Sequence, residues 1–462
     1  MTMFKQSVVL AAVILTGCST LTRTDYHVPA VSLPETFKNV TGDVGVTPLD
    51  AWWRRLEEPH LDAWVDLARA RNADLAAAAI RVKRATLESR LAGNDLLPAF
   101  NGTVATSVSR PLSGDTQGST KTTTGTLGVT WQIDLFDRLG AQRDAAAFEA
   151  KATAEDRDAV ALSLVGTTVK LYWQLAFANQ QIALAKQNVA DAARIHDLVL
   201  SQYAAGAVSG LERREAEQAV AEQKLALSQL VQAKAELQQS LMVLFDGAVP
   251  PSPAPEHLPM RPLPSMQAGL PAELLQRRPD LRAAELRLRR ALASSDAVQA
   301  RYYPALSLTG SLGTSSTALL NVLAHPVATL GAGLTLPFLN VRDMRINKAI
   351  ARTRYEEAIV IFRKSLYNAF ADVEKALSAR TQLAQQEAAQ WRMFNEAIEI
   401  ERIYEARYRA GQVALRIWLD AKKRRRSAEV ALATTRLAQL QNHVTLIQAL
   451  GGGMETQGRR AE

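Results

Sequence analysis

The sequence repeats itself once, at an interval close to half of its 462 residues. Four short motifs of the first half recur in the same order in the second half, at a nearly constant separation. The pairs are Asn72–Leu75 with Arg278–Leu281, Leu97–Phe100 with Tyr303–Leu306, Asp134–Asp137 with Pro337–Asn340, and Tyr203–Gly206 with Tyr408–Gly411. A repeat of this length indicates duplication of one large structural unit, and it excludes a solenoid of short units.

Proline and glycine mark out the helices of each half. No proline lies between Pro111 and Pro250 or after Pro337, and no glycine lies in 341–410. Because these residues break helices, each half is predicted to hold one very long helix and a shorter one. The first long helix is expected to run from Arg138 to Tyr203, roughly 100 Å. Gly206 and Gly411 mark the hairpin turns, where a left-handed cap is needed.

The helix after the first turn carries apolar residues spaced by threes, fours and sevens. They are Ala216, Val220, Leu227, Leu230, Leu237, Leu241 and Leu244. Such heptad-like spacing is typical of coiled-coil packing, and an ordinary helical bundle is the alternative.

Between the helices of each half, apolar residues recur at every second position, and no longer at the spacing of three and four that is typical of a helix. Alternation is clearest in 126–135 and 328–336 and weaker in 101–109 and 305–313. Strands of about ten residues with one apolar and one polar face are typical of a membrane-spanning β-barrel. The segments 113–123 and 314–325 are then expected to be external loops. Two half-buried hairpins of a soluble α+β domain are the alternative.

Four strands cannot close a barrel, and open sheet edges are not tolerated in lipid. If the strands insert, several chains must share one barrel. Two copies would give eight strands, and three would give twelve, enough to enclose a lumen.

The N-terminus resembles a bacterial lipoprotein signal. Lys5 precedes the apolar segment 8–15, which is too short to span a bilayer, and the run ends in Leu15-Thr16-Gly17-Cys18. Cys18 is the single cysteine, so no intramolecular disulfide can form. A lipidated Cys18 followed by Ser19 indicates an outer-membrane lipoprotein. An incidental cysteine in an ordinary signal peptide is the alternative.

The expected organisation follows from these features. Residues 1–17 form a signal peptide, 18–59 a lipidated extended segment, 60–249 the first repeat, 250–271 a proline-rich linker, 272–450 the second repeat, and 451–462 a disordered tail.

Several motifs resemble the outer-membrane factor (TolC-like) family, in its NodT-like lipoprotein branch of drug-efflux channels. They are Trp52-Trp53, Pro59-His60-Leu61, Asn72-Ala73-Asp74-Leu75, Asp134-Leu135-Phe136-Asp137-Arg138, the segment 277–285 and the segment 407–411 followed by Leu419-Asp420-Ala421. The resemblance implies an α+β membrane protein: a homotrimer with a 12-stranded outer-membrane β-barrel, four strands per chain, continued by a periplasmic α-helical coiled-coil tunnel.

The resemblance also implies function and partners. The chain would be the passive exit duct of a tripartite efflux pump, working with a proton-driven inner-membrane transporter and a periplasmic adaptor. Asp420 matches the acid that narrows the family's periplasmic entrance, and Tyr408 matches a tyrosine that holds the coils closed. At the first turn Glu212 and Glu215 occupy the corresponding region.

One departure from the family pattern is the run of five cations at 422–426. Successive helical residues point all around the helix, so these cations cannot all face a lumen. The favoured interpretation is a solvated, adaptor-facing surface. The alternative is that the cations neutralise the ring of aspartates and change ion selectivity.

No enzyme chemistry is apparent. The six histidines are scattered without metal-ligand spacing, and there is no P-loop and no G-x-S-x-G motif. We therefore expect no catalytic residue, no metal and no cofactor apart from the lipid on Cys18. The net charge of +8 is modest, and no basic face is interleaved with aromatics, so no nucleic-acid partner is expected. A periplasmic adaptor lipoprotein and a type I secretion duct are the alternative functions.

Overall fold

The computed structural model describes residues 22–32, 34–39, 50–110, 119–316 and 326–452. A first helix, α1 (Pro59–Arg71), begins the first repeat and stands before the elements that the two repeats share. The first repeat contains α2 (Ala73–Asn94), β1 (Ala99–Ser109), β2 (Thr120–Ile133), α3 (Arg138–Ala204) and α4 (Gly210–Leu244). The second contains α5 (Pro279–Ala300), β3 (Ala305–Ser316), β4 (Val327–Thr335), α6 (Val341–Arg409) and α7 (Leu415–Ala449). The element order is the same in both repeats.

The strands are longer than the alternation predicts. β2 begins at Thr120, and its first residues pair with the end of β1, Thr120 opposite Ser109. The prediction of a loop at 113–123 is thus wrong for 120–123, and that at 314–325 is wrong for 314–316. These strand ends are rich in threonine and serine and lack apolar alternation. The remaining loop residues, 113–118 and 317–325, lie outside the described residues, whereas Ser119 is described and lies just before β2.

The chain forms two compact units. The first comprises 1–31, 80–155 and 282–365, and the second comprises 32–79, 156–281 and 366–462. The first unit holds one antiparallel sheet in the order β1-β2-β3-β4. Its central pairing joins β2 of the first repeat to β3 of the second, with Leu127 opposite Leu312.

The two faces of this sheet differ sharply. One face carries large apolar side chains that are exposed in the single chain: Phe100, Val104, Val108, Leu127, Trp131, Leu308, Leu312, Leu330 and Leu334. The opposite face carries mainly glycine, alanine and uncharged polar residues, for example Thr126, Thr130, Ser307, Thr309 and Thr329, with Val327 at its end. The outer edges are β1 and β4, which have no further strand beside them within the described residues. In the single chain an apolar face is therefore exposed, and the outer backbone groups of two edge strands have no partner strand within the described residues.

The second unit has an aromatic core at its centre. The ring of Trp64 meets those of Tyr172 and Phe245 edge-on, at 5.1 and 5.9 Å between centroids. Trp64 also donates from Nε1 to the carbonyl of Ser252, 2.9 Å away, which fixes the start of the proline-rich linker. Trp52 and Trp53 are buried in the same core. Trp173 is buried in this core as well.

The Arg277-Arg278-Pro279 segment closes the end of α7. Arg278 donates to the carbonyl of Ala449 at 3.2 Å and pairs with Asp280 at 2.8 Å. Gly451 has φ +90°, and a Cβ there would lie 2.7 Å from the Arg277 carbonyl carbon. Gly451 and Gly452 are buried, so they belong to the packed unit and not to the predicted tail. Residues 453–462 lie outside the described residues.

Part of α3 is apolar and long enough to cross a membrane by composition alone, and it is the one such helix in the described residues. About 61% of that stretch is buried inside the protein, as expected for a core helix. This helix is therefore weak support for a membrane span.

Candidate functional site

The two helical hairpins turn with the same geometry. Gly206 has φ +73° and Gly411 φ +72°, which only glycine adopts without strain. In the first turn Ala207 N donates to Gln202 O, and in the second Gln412 N donates to Arg407 O, both at 2.9 Å. These bonds, with those of each turn glycine to the tyrosine three residues earlier, form a Schellman cap in each repeat. The turns thus lie where the sequence predicts them.

Tyr408 joins the two hairpins near their turns. Its hydroxyl donates to Gln202 Oε1 on α3 at 2.9 Å, and its ring stacks on Trp418 of α7 at 5.1 Å. Only 9% of Tyr408 is exposed, and burial together with the nearby Glu212 carboxylate raises the pKa of its phenol. The phenol therefore stays protonated and able to donate at neutral pH. This contact lies within one chain and links the first repeat to the second.

The repeat-related Tyr203 is placed differently. It is 45% exposed, and the guanidinium of Arg213 lies 5.5 Å from its ring centre. Arg213 occupies the position that Trp418 holds in the second hairpin. The duplicated turns therefore share a backbone, but only the second provides a buried tyrosine.

Glu212 is engaged at the start of α4. Its carboxylate accepts from the backbone N–H and the hydroxyl of Ser209, at 2.6 and 2.9 Å, in a capping box. The second turn has Ala414 at the equivalent position and no side-chain cap. In the structure Glu212 therefore caps α4. Its role at the periplasmic gate stays a prediction.

Glu215 and Asp420 line one groove, formed by α3, α4 and α7. Each stands at the same position after its turn glycine, so the duplication brings equivalent acids of the two hairpins together. Asp420 is exposed, and no ion pair involves it within the described part of the chain. The same groove is lined by the cations Arg416, Lys422, Lys423 and Arg426. The groove is thus a surface of mixed charge with an unpaired carboxylate.

The basic run is only partly a solvated surface. Lys423 and Arg424 are exposed, as predicted. Lys422 and Arg425 instead reach Glu401 on α6, at 3.2 and 2.6 Å, and the side chains of Glu401 and Lys422 are each 12% exposed. The prediction of a solvated run is wrong for these two cations, because their positions on α7 face α6.

The residues that sequence reasoning missed are Gln202, Glu401 and Trp418. Lys422 also links Glu401 to α3, because its Nζ lies 3.9 Å from the carboxylate of Asp191. Gln202 lies far in sequence from Tyr408 and Glu401 lies across the second turn from its cations, whereas Trp418 follows its partner Tyr408 by ten residues across the same turn. No motif within one helix reveals any of these contacts. The repeat offset does pair Trp418 with Arg213, which is the one signal that could have suggested a stacking role.

The predicted lipidation site cannot be located here. Cys18 lies outside the described residues. Within the described residues no group of three or more His, Cys, Asp or Glu side chains is arranged to hold a metal ion.

Comparison with known proteins agrees with this architecture. Residues 64–245 and 270–452 match the family described as outer membrane efflux protein. The pyoverdine export outer membrane protein OpmQ of Pseudomonas putida is 33% identical over 88% of this chain and 89% of its own length. The toluene efflux pump outer membrane protein TtgC of the same species is 28% identical over 98% and 96%.

Solved structures show the same fold. The open state of the MtrE outer membrane channel of Neisseria gonorrhoeae superposes with a TM-score of 0.82, at 29% identity over 94% of this chain and 98% of that one. This agreement confirms the predicted fold class and argues against the adaptor alternative. The chain therefore belongs to the outer membrane efflux protein family, which confirms the outer-membrane location and the efflux-channel function predicted from its motifs.

Proposed function

We propose that the chain works as a lipid-anchored homotrimer that exports small molecules, with the groove of Glu215 and Asp420 at its periplasmic entrance. In this proposal an inner-membrane transporter of the proton-driven type supplies the energy and a periplasmic adaptor joins it to the channel. The observation that carries the trimer is the four-stranded sheet with an exposed apolar face and two free edges.

The need to close the barrel favours an assembly of three copies of the chain. The exposed apolar side chains need lipid around them, and the edges of β1 and β4 need partners, because unpaired backbone groups are costly in a bilayer. Three sheets edge to edge supply twelve strands, enough to enclose an open lumen. The polar face of each sheet would line that lumen, and its lack of charged side chains suits passage of solutes of either charge.

The proposals of a lipid anchor and of partner proteins are supported by motifs in the sequence. Leu15-Thr16-Gly17-Cys18 follows a short apolar segment, which favours acylation of Cys18. The absence of a P-loop leaves transport without an internal source of energy, so a transporter must provide it. The relatives named above export pyoverdine and toluene, two unlike cargoes, which favours selection of cargo by the transporter and not by the channel.

Asp420 is the proposed constriction residue. In a trimer three copies of an unpaired, exposed carboxylate would lie near one axis, and their repulsion is relieved by binding cations. A site of this kind favours multivalent cations. Glu215 lies in the same groove and would add a second carboxylate from each chain.

Assembly is tested by the mass of the detergent-extracted protein and by its mobility on gels before and after heating. We expect a heat-modifiable species near the mass of three chains in the outer-membrane fraction. A stable monomer that still conducts ions in a planar bilayer would refute the trimer. Mass spectrometry of the mature N-terminus tests the anchor, and an unmodified peptide containing Thr16 to Ser19 would refute it.

The gate is tested with Asp420→Ala in a planar bilayer. A trivalent cation added on the periplasmic side should block the wild type and block the variant more weakly, with trimer formation unchanged. The matched control Glu215→Ala removes the equivalent acid of the first hairpin, and we expect a smaller change. Equal block of the wild type and Asp420→Ala would rule out Asp420 as the constriction.

A further inference from the structure

The segment that begins four residues after Cys18, Thr22–Tyr26, is packed against the first unit; we name it the strap. At its start Thr22 is buried, and its hydroxyl donates to the carbonyl of Phe136 at 2.9 Å. Arg23 pairs with Asp137 and, at 2.7 Å, with Asp144. Phe136 and Asp137 form the junction between β2 and α3, and Asp137 has φ +55° there. The strap thus holds the strand–helix junction of the first repeat.

The rest of the strap binds the second repeat. The backbone N–H and the hydroxyl of Thr24 donate to the two carboxylate oxygens of Asp296 on α5, at 3.1 and 2.8 Å. Tyr26 donates to Glu285 at 3.3 Å, and the guanidinium of Arg289 lies 4.5 Å from the Tyr26 ring centre. Through four of its five residues, the strap therefore contacts both repeats.

Asp296 shows that this is a built docking site. It is 4% exposed, and within the described residues its hydrogen bonds come from Thr24 alone. Burial raises the pKa of Asp296, and the bonds from Thr24 and the charge of Arg23 act against that rise. Without the strap, Asp296 would lose both of these donors, and the carboxylate is therefore better satisfied when the strap is docked.

Distance links the strap to the anchor. Four extended residues span at most about 14 Å, so Cys18 cannot lie farther than that from Thr22. A strap that is fixed at Thr22 therefore limits how far a group attached to Cys18 can lie from it.

We propose that the strap is an intramolecular docking element that binds the junction of β2 with α3 to α5 and holds the acylated N-terminus within reach of that junction. The part of this proposal that concerns the acylated N-terminus rests on the lipid anchor of the proposed function. The anchor is then not a loose tether, because the chain just beyond it is bound to both repeats.

Trypsin provides the test, since it cleaves after Arg23 only when the strap leaves its site. The full-length detergent-solubilised protein is digested, and cleavage after Arg23 is followed by the mass of the N-terminal peptide and normalised to the rate in the denatured chain. We expect strong protection in the wild type. Thr24→Val and Asp144→Asn each remove one charge-assisted contact of the strap, and each should speed cleavage about tenfold.

The matched control is Glu356→Gln on α6, which neutralises an exposed acid paired with Arg352 on its own helix and should leave cleavage unchanged. Wild-type cleavage at the rate of the denatured chain would overturn the proposal, as would wild-type rates in both strap variants. The mass of the released peptide reports acylation separately. A protected strap that carries an unmodified Cys18 would overturn the anchor and the part of the proposal that positions it, while leaving the docking of the strap established.

Discussion

The hydroxyl of Tyr408 lies 2.9 Å from Oε1 of Gln202, and this bond joins the hairpin of the second repeat to that of the first. Gln202 stands just before the first turn and Tyr408 just before the second. Any movement of one hairpin past the other must break this bond or carry both residues along. A bond in this position resists such movement, as the predicted role of Tyr408 in holding the coils closed requires.

Tyr408→Phe should raise the resting conductance of the channel. The substitution removes the donor but keeps the ring that stacks on Trp418. Loss of one neutral hydrogen bond costs about 1 kcal/mol, so we expect a ~fivefold rise in open probability. Single-channel recording in planar bilayers measures it. Tyr203→Phe, at the repeat-related and exposed position, is the control, and an equal effect of both variants would contradict this assignment.

The two faces of β4 should respond oppositely to a new charge. Leu330 is 91% exposed on the apolar face, and Thr329 lies beside it on the polar face. Leu330→Arg would place a cation in lipid, at a cost of about 2–4 kcal/mol per chain near the midplane, and should lower the yield of outer-membrane trimer. Thr329→Arg should assemble normally and reduce conductance. Fractionation and conductance measure the pair, and normal assembly of Leu330→Arg would show that this face does not meet lipid.

His443 should make the second unit sensitive to mild acid. Burial, assisted by the charge of Arg380, lowers the pKa of His443 to about 4. Arg380 and Arg436 also line its cavity beside the linker, with Glu387 as the nearby acid. Between its ordinary pKa and 4 the unfolded chain binds more protons than the folded one, so stability must fall as the pH drops through this window.

The expected loss for His443 is at most about 3 kcal/mol between pH 6.5 and 4, with no further contribution below. The apparent melting temperature at several pH values measures it. His443→Asn should flatten this dependence, whereas the exposed His60→Asn should not. An unchanged slope in His443→Asn would assign the acid sensitivity to other groups.

The sequence alone predicts most of the fold, because the features that decide it are local or repeated. Alternation over 126–135 identifies β2, and the tyrosine–glycine motifs identify both turns. The first residues of β2 are missed because Lys121 and its threonine neighbours show no apolar period; their strand state comes from pairing with β1. The resemblance identifies Glu215 and Asp420 as acids of the proposed entrance. Their grouping with cations depends on the packing of three helices.

Contacts between residues far apart in sequence account for the rest. Lys422 and Arg425 belong to a run that gives no local hint of burial, and only the packing of α7 on α6 brings them to Glu401. For the same reason the strap is predicted merely as an extended segment. Its partners Asp137, Asp144, Asp296 and Glu285 come from both repeats, and no pattern in the sequence connects them to Thr22–Tyr26.

Glu401 offers the sharpest test of the basic run. Its carboxylate accepts from both Lys422 and Arg425, and Arg425 also pairs with Glu429 at 2.7 Å. Glu401→Gln keeps the shape of the side chain but leaves two half-buried cations with less compensation. Since removing one partner of a buried ion pair is costly, α6 and α7 should separate more easily near the turn.

We therefore expect Glu401→Gln to raise the resting conductance, and to do so at high salt as well as low, because half-buried pairs are weakly screened. The control is Glu405→Gln, one helical turn further along α6, whose carboxylate pairs with Arg409 at 2.6 Å on the same helix. That variant should change little, since such surface pairs contribute less than about 1 kcal/mol.

If both variants conduct like the wild type, the basic run does not hold the hairpins together, and the contact between Tyr408 and Gln202 remains as the proposed closing element. If Glu401→Gln changes only the reversal potential across a salt gradient, the cations act on ion selectivity, as the alternative interpretation of this run requires.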